Sequence, residues 1–304
     1  MPPAKNSANP KGFQKAKTQH EAPEEVLIFE RYEILPKLQA IRYCCTLRRD
    51  KVSEEYALGI KFHEALPASW ESRDSAAHGI ILGLGLACIS HVWTGFCTPT
   101  IIVRAGYLSP AEVEFWRDTF TLGLCEHLLI NQITSLRANG ASTLQVDIVV
   151  EAPAPSAAVP AQESAPTAED GAACPTRRRV LMPLGGGKDS TTVLEMLKLA
   201  QTEAIVPFFM ADPEGEFKGC WRYKALCQVG GVEPVCVADF WWPDNNYRSF
   251  RASRKRLASG KEWDDSARLW ACLVGFASAL AAMLRDCDYV AVGNERSANH
   301  GNGV

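Results

Sequence analysis

The sequence predicts an α/β protein: a doubly wound parallel sheet in its second half, preceded by a mixed α+β module. Three observations carry that expectation. From Val180 onward short apolar runs alternate with amphipathic helical stretches, the pattern of parallel strands covered by helices on both faces. Residues 151–179 are rich in Ala and Pro and end in Arg177, Arg178 and Arg179, a composition that cannot bury a core and so predicts a disordered linker between two modules. A glycine-rich turn stands at the first strand-to-helix junction of the second module.

The first 24 residues are polar and lack the apolar segment of a secretory signal, so a disordered tail is expected. Lys5, Lys11, Lys15 and Lys17 precede the first acid, Glu21, as in organellar transit peptides, but no arginine accompanies them. In the first module, 25–150, Val26 to Leu35, Ala40 to Leu47 and Ile101 to Val103 read as strands. Ser109-Pro110-Ala111-Glu112 is a helix start, with serine as N-cap, proline at the first helical position and an acid in the first turn. The helix it opens is expected to run to 133, burying Val113, Trp116, Phe120, Leu124 and Leu128.

In the second module, 180–304, strands are expected at Val180 to Leu184, Ile205 to Met210, Pro234 to Ala238 and, as a short buried strand, Tyr289 to Val292. Helices are expected from Ser190 to Gln201, near Phe217 to Val229, and from Trp263 to Arg285. Leu269 to Leu284, read as the longest apolar run, is about 16 residues, short of the roughly 20 that span a bilayer, and reads as a buried helix. Ligands of such sheets sit beyond the carboxyl ends of the strands. The glycine turn, Asp212-Pro213-Glu214 and Asn294 to Asn299 all fall there.

A length of 304 residues with 47% hydrophobic content suits two globular units. The formal charge of -3 and pI near 6.1 give no overall attraction to nucleic acid or an anionic membrane. The 11 cysteines are odd in number and form no Cys-x-x-Cys pair, which fits reduced thiols in a cytoplasmic setting better than disulfides or a zinc framework.

The turn reads Leu184-Gly185-Gly186-Gly187-Lys188-Asp189-Ser190-Thr191. Glycines let backbone N–H groups approach an anion, and a helix N-terminus favours negative charge through its unpaired N–H groups and its dipole. Lys188 adds a mobile positive charge, and Ser190 and Thr191 add hydroxyls. A Walker A loop is excluded, because Met182 stands at its first glycine and Asp189 follows the lysine. The dinucleotide fingerprint fits poorly, with Ser190 at its last glycine. What remains resembles the PP-loop of ATP pyrophosphatases, with Gly185 in place of the leading serine. The bland reading is an ordinary Gly-rich turn.

Gly293-Asn294-Glu295-Arg296-Ser297-Ala298-Asn299-His300-Gly301-Asn302 resembles the signature of the ATP-dependent UDP-N-acetylmuramoyl-L-alanyl-L-glutamate epimerases. Phe96-Cys97-Thr98-Pro99, Leu108-Ser109-Pro110 and Gly123-Leu124-Cys125-Glu126 with Asn131 are similar to that family's amino-terminal domain. The resemblance implies a Rossmann-like second module of the PP-loop, or HUP, type. It implies a cytoplasmic enzyme of peptidoglycan precursor synthesis that inverts the terminal L-glutamate of the nucleotide-linked muramoyl dipeptide, through an acyl-adenylate, with ATP and Mg2+. It implies no nucleic-acid partner and no membrane insertion.

By matching positions, Gly185, Gly186, Gly187, Lys188, Asp189, Ser190 and Thr191 are expected to hold the phosphates, with Asp189 orienting the loop or a metal. Glu295, Arg296, Ser297 and Asn299 are expected to close the same pocket, Arg296 through its fork on a carboxylate or phosphate. Lys188, Asp189, Glu295 and Arg296 are the catalytic candidates. Epimerisation also needs an acid and a base on opposite faces of the α-carbon, and Cys97, Glu126, His127, Glu295 and His300 qualify by residue type alone. The chain departs from the family where Trp263 to Arg268 replace a glycine-histidine-proline type segment, and it ends at Val304, so a truncated second module is expected. The rival readings are another PP-loop ATP pyrophosphatase, amidating or tRNA-modifying, or an inactive nucleotide-binding fragment of the family.

Overall fold

The computed structural model describes residues 25–49, 52–72, 75–131, 146–153, 179–211, 221–233, 236–243, 247–248, 250–251 and 269–294. Residues 1–24 and most of 151–179 lie outside them. A nine-stranded mixed sheet, mostly parallel, runs through the described residues in the order β5-β4-β1-β2-β3-β8-β7-β6-β9.

The first module contributes β1 (Glu25–Leu35), β2 (Ala40–Arg49), β3 (Val52–Phe62), β4 (Thr100–Val103) and β5 (Asp147–Val150). The first three form an antiparallel meander, and β4 and β5 run parallel to β1 on its other side. Two strands are missing from the sequence reading, β5 and the longer β3. The signal of β3 is the two-residue period of Tyr56, Leu58, Ile60 and Phe62, all within 2% of complete burial, while Ser53, Glu55 and Lys61 are exposed.

Helix α1 (Ala77–Phe96) was also absent from that reading, and it, not 269–284, is the longest apolar helix described. No Asp, Glu, Lys or Arg occurs between Ser75 and Val103. The helix is long and apolar enough to cross a membrane, but 89% of its most apolar window is buried inside the protein. It lies between the β1–β3 sheet face and α6 (Trp270–Leu284). Gly83 permits that approach: a Cβ there would lie 2.4 Å from the Phe276 ring of α6.

The Ser109 cap forms as expected. Its hydroxyl accepts from the Glu112 N–H while the Glu112 carboxylate accepts from the Ser109 N–H, a capping box opening α2 (Pro110–Thr121). The helix does not continue unbroken to 133. Around Gly123, a poor helix former, the chain turns into the short α3 (Cys125–Ile130), and Trp116, Phe120, Leu124 and Leu128 are buried.

The second module contributes β6 (Arg179–Pro183), α4 (Lys188–Leu199), β7 (Ala204–Ala211), α5 (Trp221–Gly230), β8 (Cys236–Trp241), α6 and β9 (Tyr289–Val290), with β8-β7-β6-β9 all parallel. Antiparallel pairing of β3 with β8, Gly59 opposite Trp241 through Phe62 opposite Ala238, makes both modules one sheet. Arg285 Nε donates to Glu64 at 2.7 Å across the same junction. The β9 region is not buried as expected: Tyr289 and Val292 are 51% and 60% exposed, because β9 is the last strand described at that end of the sheet.

Candidate functional site

Strand β6 is buried on both faces, which is why it reads as an unbroken apolar run. Leu181 joins the large core under α1 and α6, whereas Met182 and Leu184 join a smaller cluster with Leu194 of α4 and Tyr223 of α5. After the Leu184 N–H donates to the Phe208 carbonyl at 2.8 Å, the chain leaves the sheet into the glycine turn. Gly186 has φ of 82°, in the region that L side chains avoid. Gly187 is the extended N-cap of α4 and supplies no side-chain cap.

The first bond into the helix is Thr191 N–H to the Gly187 carbonyl, 3.2 Å, so the N–H groups of Lys188, Asp189 and Ser190 precede the intrahelical ladder. Gly185, Gly187 and Lys188 are exposed, and a Cβ on Gly185 or Gly187 would meet nothing within 4 Å. The Ser190 and Thr191 hydroxyls donate to the Gly187 carbonyl at 3.1 and 3.0 Å. An anion at this turn therefore meets backbone N–H groups and the Lys188 ammonium first, and gains the hydroxyl protons only if those side chains rotate.

The strand order reverses beside this turn. From β6 the sheet proceeds to β7 and β8 on one side and returns to β9 on the other, so the carboxyl ends of β6 and β9 form a switch point, the place where such sheets take ligands. Strand β9 pairs Tyr289 with Val180 and Val290 with Leu181, and the chain then passes against the first turn of α4. A Cβ on Gly293 would lie 2.8 Å from the Asp189 carbonyl oxygen, a separation that only glycine accommodates without a shift. Gly293 opens the signature segment quoted from the sequence but was not among the candidate site residues. Its signal was its place immediately ahead of the Asn294 motif.

The family model of the MurL N-terminal domain matches residues 18–227. The chain belongs to the MurL family. No curated protein and no solved structure gave a match. Membership carries a MurL-like role in peptidoglycan precursor epimerisation, on a small nucleotide-linked substrate. In this MurL-family chain the matched span crosses 151–179 and includes β6, the glycine turn, α4 and β7.

Glu295, Arg296, Ser297, Asn299 and His300 lie outside the described residues, as do 212–214. Asn294, the last residue described, is exposed just after Gly293. Asp189 sits half-buried in the first turn of α4. Among the described residues no group of three His, Cys, Asp or Glu could hold a metal. Asp189 therefore fits Mg2+ only in the manner in which that ion takes one or two carboxylates together with substrate phosphates.

Of the first-module candidates, Cys97 and His127 occupy structural positions. Cys97 is 1% exposed at the α1 terminus, with a left-handed φ of 52°. His127 is fully buried, its Nε2 2.9 Å from the Thr94 carbonyl and its Nδ1 3.2 Å from Asn131 Nδ2. Donation at Nε2 and acceptance at Nδ1 satisfy both nitrogens of a neutral ring. Glu126 is exposed. Strand β4, which Cys97 precedes, lies six positions from β6 along the sheet, about 29 Å at ~4.8 Å per strand.

Proposed function

We propose that this chain activates the terminal glutamate carboxylate of the nucleotide-linked muramoyl dipeptide at the glycine turn and thereby epimerises its α-carbon. The observation that carries the reading is the reversal of strand order between β6 and β9, with an uncapped, glycine-led helix starting at that switch point. The Rossmann-like PP-loop arrangement is part of this proposal, and the parallel order β8-β7-β6-β9 supports it.

The N–H groups at 188–190 and the Lys188 ammonium hold a triphosphate's terminal oxygens. Gly186 supplies the positive φ that turns the backbone toward the anion, and Asp189 orients the loop and would be the carboxylate to help hold Mg2+, which would supply charge neutralisation for the phosphates. The rest of the candidate set, Glu295, Arg296, Ser297 and Asn299, comes immediately after Gly293 and Asn294 in the sequence, and Gly293 lies against Asp189. ATP bound there would supply an adenylyl group that neutralises the glutamate carboxylate, so that removing the α-proton no longer places a carbanion beside a negative charge.

The test is solvent deuterium incorporation at the glutamate α-carbon of the muramoyl dipeptide, with and without ATP. Label that appears only with ATP, accompanied by pyrophosphate release, is the expected result. Label independent of ATP would remove activation from the reading, and pyrophosphate release driven by tRNA would replace the epimerase with another adenylating enzyme.

A further inference from the structure

A second cleft lies at the opposite end of the sheet from the glycine turn. It has a volume of about 590 Å3, between α2, the loop before it and β5, the last strand described at that end. Tyr107 and Leu108 of the loop, Val113 and Arg117 of α2, and Ile148 and Val150 of β5 line it. The Nε of Arg117 is buried and has no hydrogen-bond partner among the described residues. A guanidinium N–H withdrawn from water and left unpaired is costly, and such groups in native folds usually mark a missing acceptor.

The second observation is independent of the arginine and comes from the strand. Asp147 and Glu151 donate their N–H groups to the Pro99 and Val103 carbonyls on the β4 side, both at 2.9 Å. By the alternation of a parallel ladder, Ile148 and Val150 direct their backbone N–H and C=O groups to the outer edge, while their side chains line the cleft. An edge with no paired strand among the described residues, beside an apolar groove, is the arrangement that accepts an extended peptide as an added strand. Glu114 also lines the cleft, one helical turn before Arg117, and its negative charge disfavours a dianionic phosphate relative to a single carboxylate.

We propose that this cleft binds the carboxy-terminal end of an extended peptide, whose backbone pairs with the outer edge of β5 and whose terminal carboxylate accepts from Arg117. Nothing in this proposal depends on the chemistry at the glycine turn.

The test uses the full chain and a fluorescein-labelled hexapeptide of alternating valine and alanine, made with a free carboxylate or as the amide, and read by fluorescence anisotropy. The free acid is expected to bind saturably and about tenfold or more tighter than the amide. Methylating the alternate peptide nitrogens that would face β5 is expected to abolish binding without altering the protein. Arg117→Gln is expected to bring the acid down to the affinity of the amide, with Arg117→Lys in between. Failure of the acid to saturate, equal binding of acid and amide, or indifference to N-methylation would overturn the proposal using the unaltered chain alone. Displacement by inorganic phosphate beyond that by chloride at equal ionic strength would overturn it in favour of a phosphate site.

Discussion

The two ends of the sheet divide the work of the molecule. In the first module α1 is buried along almost its whole length, with Ile81, Leu84, Leu86, Ile89, Val92 and Trp93 at or near zero exposure. In the second, α4 buries only Leu194, and Met196 and Leu199 are 63% and 83% exposed. One helix is held from all sides, and the other rests lightly on the sheet with its N-terminus in solvent. Packing therefore sets stability mainly in the first region, whereas the second can keep an uncapped helix end and an open glycine turn because little else depends on them.

The largest effect expected from this contrast is in the first region. Trp93 is fully buried, donates its indole N–H to the Thr98 carbonyl at 2.8 Å and meets Phe120 edge-on. Trp93→Ala is expected to cost about 3–5 kcal/mol in urea denaturation. A loss below about 1 kcal/mol would show that α1 is not the anchor.

Lys188→Gln should produce the reverse pattern: an unchanged urea midpoint, because the side chain is exposed, and an ATP affinity lowered about tenfold, ~1.4 kcal/mol. Equal affinity by calorimetry would remove Lys188 from the phosphate site. Gly293→Ala should fall between these extremes. Its Cβ would press on the Asp189 backbone, so a stability loss of roughly 1 kcal/mol and a weaker ATP complex are expected together. A change in stability alone would confine Gly293 to packing.

The smallest effect concerns Glu33, whose carboxyl is held below the ordinary carboxylate range first by its hydrogen bond from Arg42 and also by Arg31, against the opposing pull of burial. A lowered folded-state pKa means that the contribution is complete above the unfolded value near ~4.3 and is lost as pH falls through the lower folded value. The pair is partly exposed, so at most about 1 kcal/mol is at stake. Glu33→Gln should flatten the acid limb of the stability profile by lowering stability at neutral pH by up to about 1 kcal/mol while converging on the parent at low pH. A Glu33→Gln profile parallel to the parent's at all pH values would contradict this.

What was legible in the sequence follows the same division. Local signals were readable: the Ser109 cap, β1, β2, and the alternation of β6, α4 and β7 around the glycine turn. Helix α1 was missed because it is apolar all round, so no polar face reveals its 3.6-residue period. The union of the modules was not readable because the pairing of Phe62 with Ala238 is fixed by tertiary packing and leaves no local trace. At the proposed site, the residue types of the turn are what single it out, whereas Cys97 and His127 looked chemical only until burial and the Thr94 carbonyl gave them structural roles. The closeness of Gly293 to Asp189 is again a long-range fact.

Photocrosslinking with ATP carrying a photoreactive group on its γ-phosphate, followed by peptide mapping, tests the account most directly. The account predicts labelling within Pro183 to Thr192, suppressed by excess ATP. Competable labelling confined to the β1–β5 end of the sheet, with none at the glycine turn, would contradict it.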